Sequence, residues 1–140
     1  MQPRGILESA LYADDLDAAE AFYTAVLGLE VIAKQPGRHV FFKCGPGVLL
    51  VFDPRSTRED AGSIGGAPIP AHGSEGPGHL AFAASAEEIE PWKTRLAAHG
   101  VEIESEVRWP GGGLSIYFRD PSGNSLEIAE SRIWPLDRTC

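Results

Sequence analysis

The chain has 140 residues, 43% of them hydrophobic, which suffices for one globular domain with its own core. A formal net charge of −8 argues against a nucleic-acid or anionic-membrane surface, since both need a basic face. Met1-Gln2-Pro3-Arg4 opens in polar sequence with no basic-then-apolar leader, and no long apolar run follows, so a cytoplasmic location is expected. Cys44 and Cys140 make no disulfide framework, and Cys44 is expected as a buried thiol in a strand.

Ile6 to Tyr12 reads as the first strand, with Leu7 and Leu11 on one face and Glu8, Ala10 and Tyr12 on the other. Asp14 and Asp15 then offer acidic caps for a helix from Leu16 to Leu27. Leu16, Ala19, Tyr23, Val26 and Leu27 form its apolar stripe, and Gly28 is its stop. Three strands follow, Leu29 to Lys34, Arg38 to Cys44 and Val48 to Phe52, with turns at Gln35-Pro36-Gly37 and Gly45-Pro46-Gly47. From Asp53 to Pro77 the chain is rich in Gly, Pro, Ser and charge, without periodicity, and reads as a long loop that is either a lid or a linker. His72 lies within it; it could reach a site, although a lone loop histidine is more often solvated.

The second half repeats the first. A strand from Gly78 to Ala83 leads into Ser85-Ala86-Glu87-Glu88, a capping-box pattern, and a helix to about His99. Ile89, Trp92 and Leu96 are its buried stripe, and Pro91 should tighten its first turns. Gly100 ends the helix, and Val101-Glu102-Ile103 echoes Leu29-Glu30-Val31. Leu114 to Arg119 and Ser125 to Glu130 are two strands joined by the turn residues Asp120-Pro121-Ser122-Gly123-Asn124. Leu114, Ile116 and Phe118 point one way, with Ser115, Tyr117 and Arg119 opposite. Each unit reads strand, helix, then three strands, and Glu8 and His79 occupy equivalent places in the duplicated pattern. The tail, 131–140, carries an apolar Ile133-Trp134-Pro135-Leu136 that either folds back or covers a partner.

Three strands carry a ligand-type residue followed two positions on by alanine: Glu8 and Ala10, His79 and Ala81, Glu127 and Ala129. An inward carboxylate such as Glu127 calls for a cation or a proton partner. One imidazole and two carboxylates suit a divalent ion (Zn, Ni, Mn, Co or Fe) with open positions for substrate. The bland alternative is a polar pair without a metal.

The chain resembles the vicinal oxygen chelate superfamily, the glyoxalase, bleomycin-resistance and dioxygenase group. Phe22-Tyr23 before Leu27-Gly28-Leu29, Gly78-His79, and Tyr117 to Asn124 leading into Leu126-Glu127 carry the resemblance. It implies an α+β fold of two paired βαβββ modules forming a cupped mixed sheet, within a single domain over 1–140. The first module spans about 5–53, the connecting loop 54–77 and the second module 78–130. It also places Glu8, His79 and Glu127 on metal-ligand positions, with Glu127, Glu8 and Tyr117 as catalytic candidates. Ser115, Tyr117, Arg119 and Trp109 are substrate-binding candidates. The bland reading has Tyr117 lining the cup and Arg119 paired with Asp120 or a nearby glutamate.

The activity implied is a metal-dependent lyase or isomerase of the glyoxalase kind on a small molecule that chelates through neighbouring oxygens. An extradiol-type dioxygenase, a fosfomycin-type transferase, or a metal-free binder of a drug or metabolite are the alternatives. Glyoxalase-type lyases usually carry a fourth ligand, and Val48 to Phe52 offers none; Glu8 also stands where dioxygenases and the transferases use histidine. A homodimer is expected, because sheet edges in this superfamily are typically covered by a second copy.

Overall fold

The structure is a computed structural model that describes residues 1–136. The chain forms two compact units, Met1–Gly78 and the chain from His79 onward.

In the first unit, β1 (Glu8–Tyr12) precedes α1 (Leu16–Ala25), and β2 (Glu30–Gln35), β3 (His39–Cys44) and β4 (Gly47–Phe52) follow. Asp15 caps α1 by accepting from the Ala18 amide at 3.0 Å. The helix ends where Gly28 turns to φ 70° and the Leu29 amide reaches back to the Tyr23 carbonyl at 3.0 Å. The sheet order is β1-β4-β3-β2, with β1 parallel to β4 and the other pairs antiparallel. Leu11, Val40, Phe42, Leu49 and Val51 bury one face of it, and α1 adds Ala19, Phe22 and Tyr23 to the same core. Leu7 departs from the sequence expectation. The strand starts one residue after it, and Leu7 is 73% exposed.

The segment after β4 is more ordered than its composition suggests. Asp53 caps a one-turn helix α2 (Pro54–Thr57), and β5 (Ser63–Ile64) pairs with β6 (Ala67–Pro68) as a small hairpin. The His72 amide then bonds the Thr57 carbonyl at 2.9 Å. No periodic pattern marks these pieces, because each is held by local caps and turns rather than by an apolar stripe.

The second unit repeats this plan with β7 (His79–Ala84), α3 (Ile89–Ala98), β8 (Ser105–Arg108), β9 (Leu114–Arg119) and β10 (Ser125–Glu130). Its order, β7-β10-β9-β8, and its strand senses match those of the first sheet. The capping box forms between Ser85 and Glu88, and a 3-10 turn, Ala86–Glu88, precedes the α-helix containing Pro91. Ile89 and Leu96 are buried as expected, whereas Trp92 is only half-buried. Val101-Glu102-Ile103 is not a strand; pairing begins at Ser105. Asp120 organises the β9–β10 turn by accepting from the amides of Ser122 (3.0 Å) and Asn124 (2.9 Å). Trp134 and Leu136 are exposed, and Cys140 lies outside the described residues. Among the described residues no helix is long and apolar enough to cross a membrane.

Candidate metal and substrate site

In the second unit, period-two alternation brings His79, Ser115, Tyr117 and Glu127 to the sheet face opposite the helix. The register sets Glu127 between Ala81 on β7 and Tyr117 on β9, so a small residue flanks the carboxylate on one side. Glu127 is 5% exposed. Its Oε2 lies 3.3 Å from His79 Nε2, and its buried Oε1 has no hydrogen-bond partner. His79 Nδ1 lies 2.9 Å from the Ser125 carbonyl, which can only accept, so Nδ1 carries a proton and Nε2 is the nitrogen turned toward Glu127. This is how a metal-binding imidazole is usually oriented.

Tyr117 is half-buried, and its ring stacks near that of His79 with centroids 6.2 Å apart. Burial pushes its phenol up from the ordinary value of 10.0, and the charge and hydrogen bonding of Glu127 add to the rise. Ser115 is fully buried and accepts from the Trp109 indole N–H at 2.8 Å, so Trp109 is fixed by a polar anchor while its ring stays 38% exposed. Arg119 is engaged elsewhere. It forms two hydrogen bonds to Glu104 (2.7 and 3.1 Å) and one to the Gly123 carbonyl, at the turn. Of the two alternatives, Asp120 or a nearby glutamate, the carboxylate paired with it is thus a glutamate, Glu104.

Glu8 lies in the first unit, exposed, at the position of β1 that matches His79 on β7. The residue matching Glu127 is Leu50, which pairs with Ala10 as Glu127 pairs with Ala81. That position of the first sheet therefore carries no carboxylate. Within neither unit do three or more His, Cys, Asp or Glu gather into a metal cluster among the described residues. His79 and Glu127 nevertheless fit a divalent ion: Nε2 and Oε2 lie 3.3 Å apart, and the second carboxylate oxygen, Oε1, is buried without a hydrogen-bond partner.

The same face of the first unit holds a cavity of about 1050 Å³ whose walls include Tyr12, Arg38, His39, Phe41, Phe52 and His72. His72 is not merely solvated: its Nδ1 lies 2.7 Å from the Tyr12 hydroxyl, and its ring meets Phe52 edge-on at 4.6 Å. Arg38 and His39 belong to no motif. The alternation of His39 and Phe41 was the available signal, but it gains meaning only when β1 and β4 bring Tyr12 and Phe52 alongside.

The model of the Glyoxalase/Bleomycin resistance protein/Dioxygenase superfamily matches residues 5–128, and the chain belongs to that superfamily. A solved structure described as lactoylglutathione lyase from Agrobacterium tumefaciens is 49% identical, with a TM-score of 0.89, covering 97% of this chain and 100% of that one. A glyoxalase/bleomycin resistance protein/dioxygenase from Nocardioides is 27% identical at TM-score 0.71, covering 99% and 92%. The fosfomycin resistance protein FosX from Listeria monocytogenes, 24% identical at TM-score 0.68 and covering 91% of each chain, shares the fold. Among curated proteins, none matches the chain.

Proposed function

We propose that the protein is a metal-dependent enzyme acting on a small molecule with two neighbouring oxygens, and that it is a glyoxalase-like lyase or isomerase rather than a dioxygenase or a fosfomycin-type transferase. The observation that carries this reading is Glu127, a buried carboxylate with one oxygen facing His79 and the other unpartnered. A buried, unsatisfied carboxylate oxygen costs stability, and a cation offsets that cost. His79 and Glu127 would hold the ion, with Glu8 as the third ligand that the family pattern supplies. A bound divalent ion would supply positive charge against the negative charge that develops on two chelated substrate oxygens.

The residues around that pair have separable tasks. The Ser125 carbonyl holds the Nδ1 proton of His79, so Nε2 is the nitrogen left for the ion. Glu127, or Glu8, can take a proton from a carbon next to a carbonyl, which is the step a lyase or isomerase of this kind needs. Tyr117, whose burial keeps its phenol protonated, can donate to a substrate oxygen as charge grows on it. Ser115 anchors Trp109, whose exposed ring is a wall for substrate, and Arg119 is a rim contact when it parts from Glu104. The 49% identity to a protein described as lactoylglutathione lyase supports the lyase assignment over the alternatives.

A second reading, a metal-free binder of a drug or metabolite, is favoured by the aromatic cavity of the first unit. Metal analysis of protein purified without chelator separates the two, together with a lactoylglutathione lyase assay followed by thioester absorbance. The expected result is near-stoichiometric metal and turnover in the unaltered protein, both lost in Glu127→Ala. No metal in either protein would instead support the binder. We further propose a cytoplasmic homodimer. The free thiol of Cys44 suits a reducing compartment, and the exposed Trp134 and Leu136 suit burial against a second copy. Light scattering should give about twice the chain mass of 15.0 kDa, and a mass near that of one chain would count against the dimer.

A further inference from the structure

The cavity of the first unit has a charge arrangement that the metal reading leaves unused. Arg38 is half-buried at its edge. Its guanidinium donates to His39 Nδ1 at 2.6 Å and to the Ala61 carbonyl at 2.7 Å, and it lies 5.4 Å from the centre of the Phe52 ring. Both hydrogen-bond acceptors are neutral: burial, then the Arg38 charge, holds the His39 imidazole below its ordinary value of 6.5. No carboxylate pairs with Arg38 among the described ion pairs. Asp60 lines an adjoining cleft beside Arg38, where its Oδ1 accepts from the Gly62 amide at 2.8 Å, and no described hydrogen bond or ion pair joins it to Arg38. A guanidinium has five N–H donors, and the two bonds described here leave others free.

Around this cation the walls are flat and aromatic. His39 stacks on Phe41 with centroids 4.0 Å apart and planes 12° apart, and Phe52 meets Phe41, His39 and His72 edge-on. The hydrogen bond between Tyr12 and His72 ties the segment after β4 to β1 at the same end. Among the described residues, the only carboxylate lining the cavity is Glu8, at the other end of β1. Tyr12 stands four steps along the strand from it, roughly 13 Å. An anion is therefore attracted to one end of the cavity and repelled from the other. The volume lies at the upper edge of the roughly 300–1,000 Å³ usual for small-molecule sites.

We propose that this cavity is a binding site for a flat, aromatic carboxylate, its carboxylate paired with Arg38 and its ring system laid against the aromatic wall that Phe41, His39 and Phe52 form. The site lies within the first unit and shares Glu8 with the proposed metal position, so it is tested in chelator-treated protein, where its failure is separable from that of the metal reading. Charge-assisted, two-pronged pairing is what a half-buried arginine without a counter-ion offers, and stacking on fixed rings selects for planarity.

The test is titration calorimetry with 2-naphthoate, its neutral isostere 2-naphthamide, and octanoate, using full-length protein treated with chelator. One 2-naphthoate should bind per chain, with 2-naphthamide and octanoate each about tenfold weaker or worse. Arg38→Gln should weaken 2-naphthoate by about the same factor and leave 2-naphthamide unchanged, while Arg38→Lys retains part of the preference. Equal affinity for the acid and the amide in the unaltered protein overturns the proposal without needing any variant. So does octanoate binding as tightly as 2-naphthoate, or the absence of any binding. Binding that appears only in metal-loaded protein and is lost in Glu127→Ala would put the carboxylate on the metal instead, which overturns this site and supports the metal reading.

Discussion

The two units share a packing face and differ on the other. Register aligns Val40 with Ile116, Phe42 with Phe118, Leu49 with Leu126, and Val51 with Ile128; all eight are at most 2% exposed. On the opposite face the same alignment sets Glu8 against His79, His39 against Ser115, Phe41 against Tyr117, Leu50 against Glu127, and Phe52 against Ala129. No pair there is the same residue type, apart from Ala10 and Ala81. The packing face is filled by side chains that interlock with a helix, so volume changes are costly. The other face meets ligands, and substitutions there change chemistry more than stability. One scaffold thus carries an aromatic, mostly apolar cup and a polar cup with ligand-type residues.

The largest expected effect tests the shared face. Phe42→Ala and Phe118→Ala should each cost about 3–5 kcal/mol in urea unfolding, since each empties a fully buried ring position. A cost below about 1 kcal/mol for one of them would mean that the two cores are not equivalent.

Exchanging residues across the other face comes next. Leu50→Glu puts a carboxylate into the aromatic cup beside Phe41 and Ala10, and should cost about 2 kcal/mol. It should also abolish 2-naphthoate binding by like-charge repulsion. The reverse change, Glu127→Leu, removes a buried oxygen that has no partner, and should be neutral or stabilising by about 1 kcal/mol. Metal content should be lost with it. If Glu127→Leu lowers stability in metal-free protein, Glu127 is a structural residue and the division between the two faces fails.

Much of this was legible in the sequence, for identifiable reasons. The alternation of Leu114 to Arg119 and Ser125 to Glu130 placed both strands and put Tyr117 beside Glu127, because a buried face fixes register. Asp15, Ser85, Gly28 and Gly100 marked helix ends through local chemistry that needs no tertiary information. The aromatic cup was not legible. Its walls come from β1, β3, β4 and the segment after β4, and only the pairing of Tyr12 with Phe52 and Phe52 with His39 joins them. Arg38 was hidden for the same reason, as its partners His39 and Ala61 define it more than its neighbours in sequence. Leu7 and Val101-Glu102-Ile103 read as strand because their apolar pattern continues past the first paired residues of the ladders, Glu8 and Ser105.

The smallest expected effect concerns the residues that leave each sheet. Asp53 follows β4 and Glu130 ends β10, at matching positions; each pairs with an arginine two residues on, Arg55 and Arg132. Their backbone roles differ. Asp53 accepts from the Arg55 amide at 2.9 Å and so caps α2, whereas the Glu130 side chain caps nothing in the short turn Ser131–Ile133. Asp53→Ala should therefore cost about 1 kcal/mol, the usual loss of an N-cap, and Glu130→Ala about half of that. The pH dependence has a definite sign. The hydrogen bond from the Arg55 side chain, against burial and together with the backbone bond and charge, holds Asp53 below its ordinary value of 3.8. A depressed carboxylate contributes stability that is complete above the unfolded-state value and is lost as pH falls through the folded one. The gap between the unaltered protein and Asp53→Ala should stay constant at neutral pH and narrow below about 3.8. A gap that widens in acid would show that Arg55 does not stabilise the ionised form, and the two sheet exits would then differ in geometry alone.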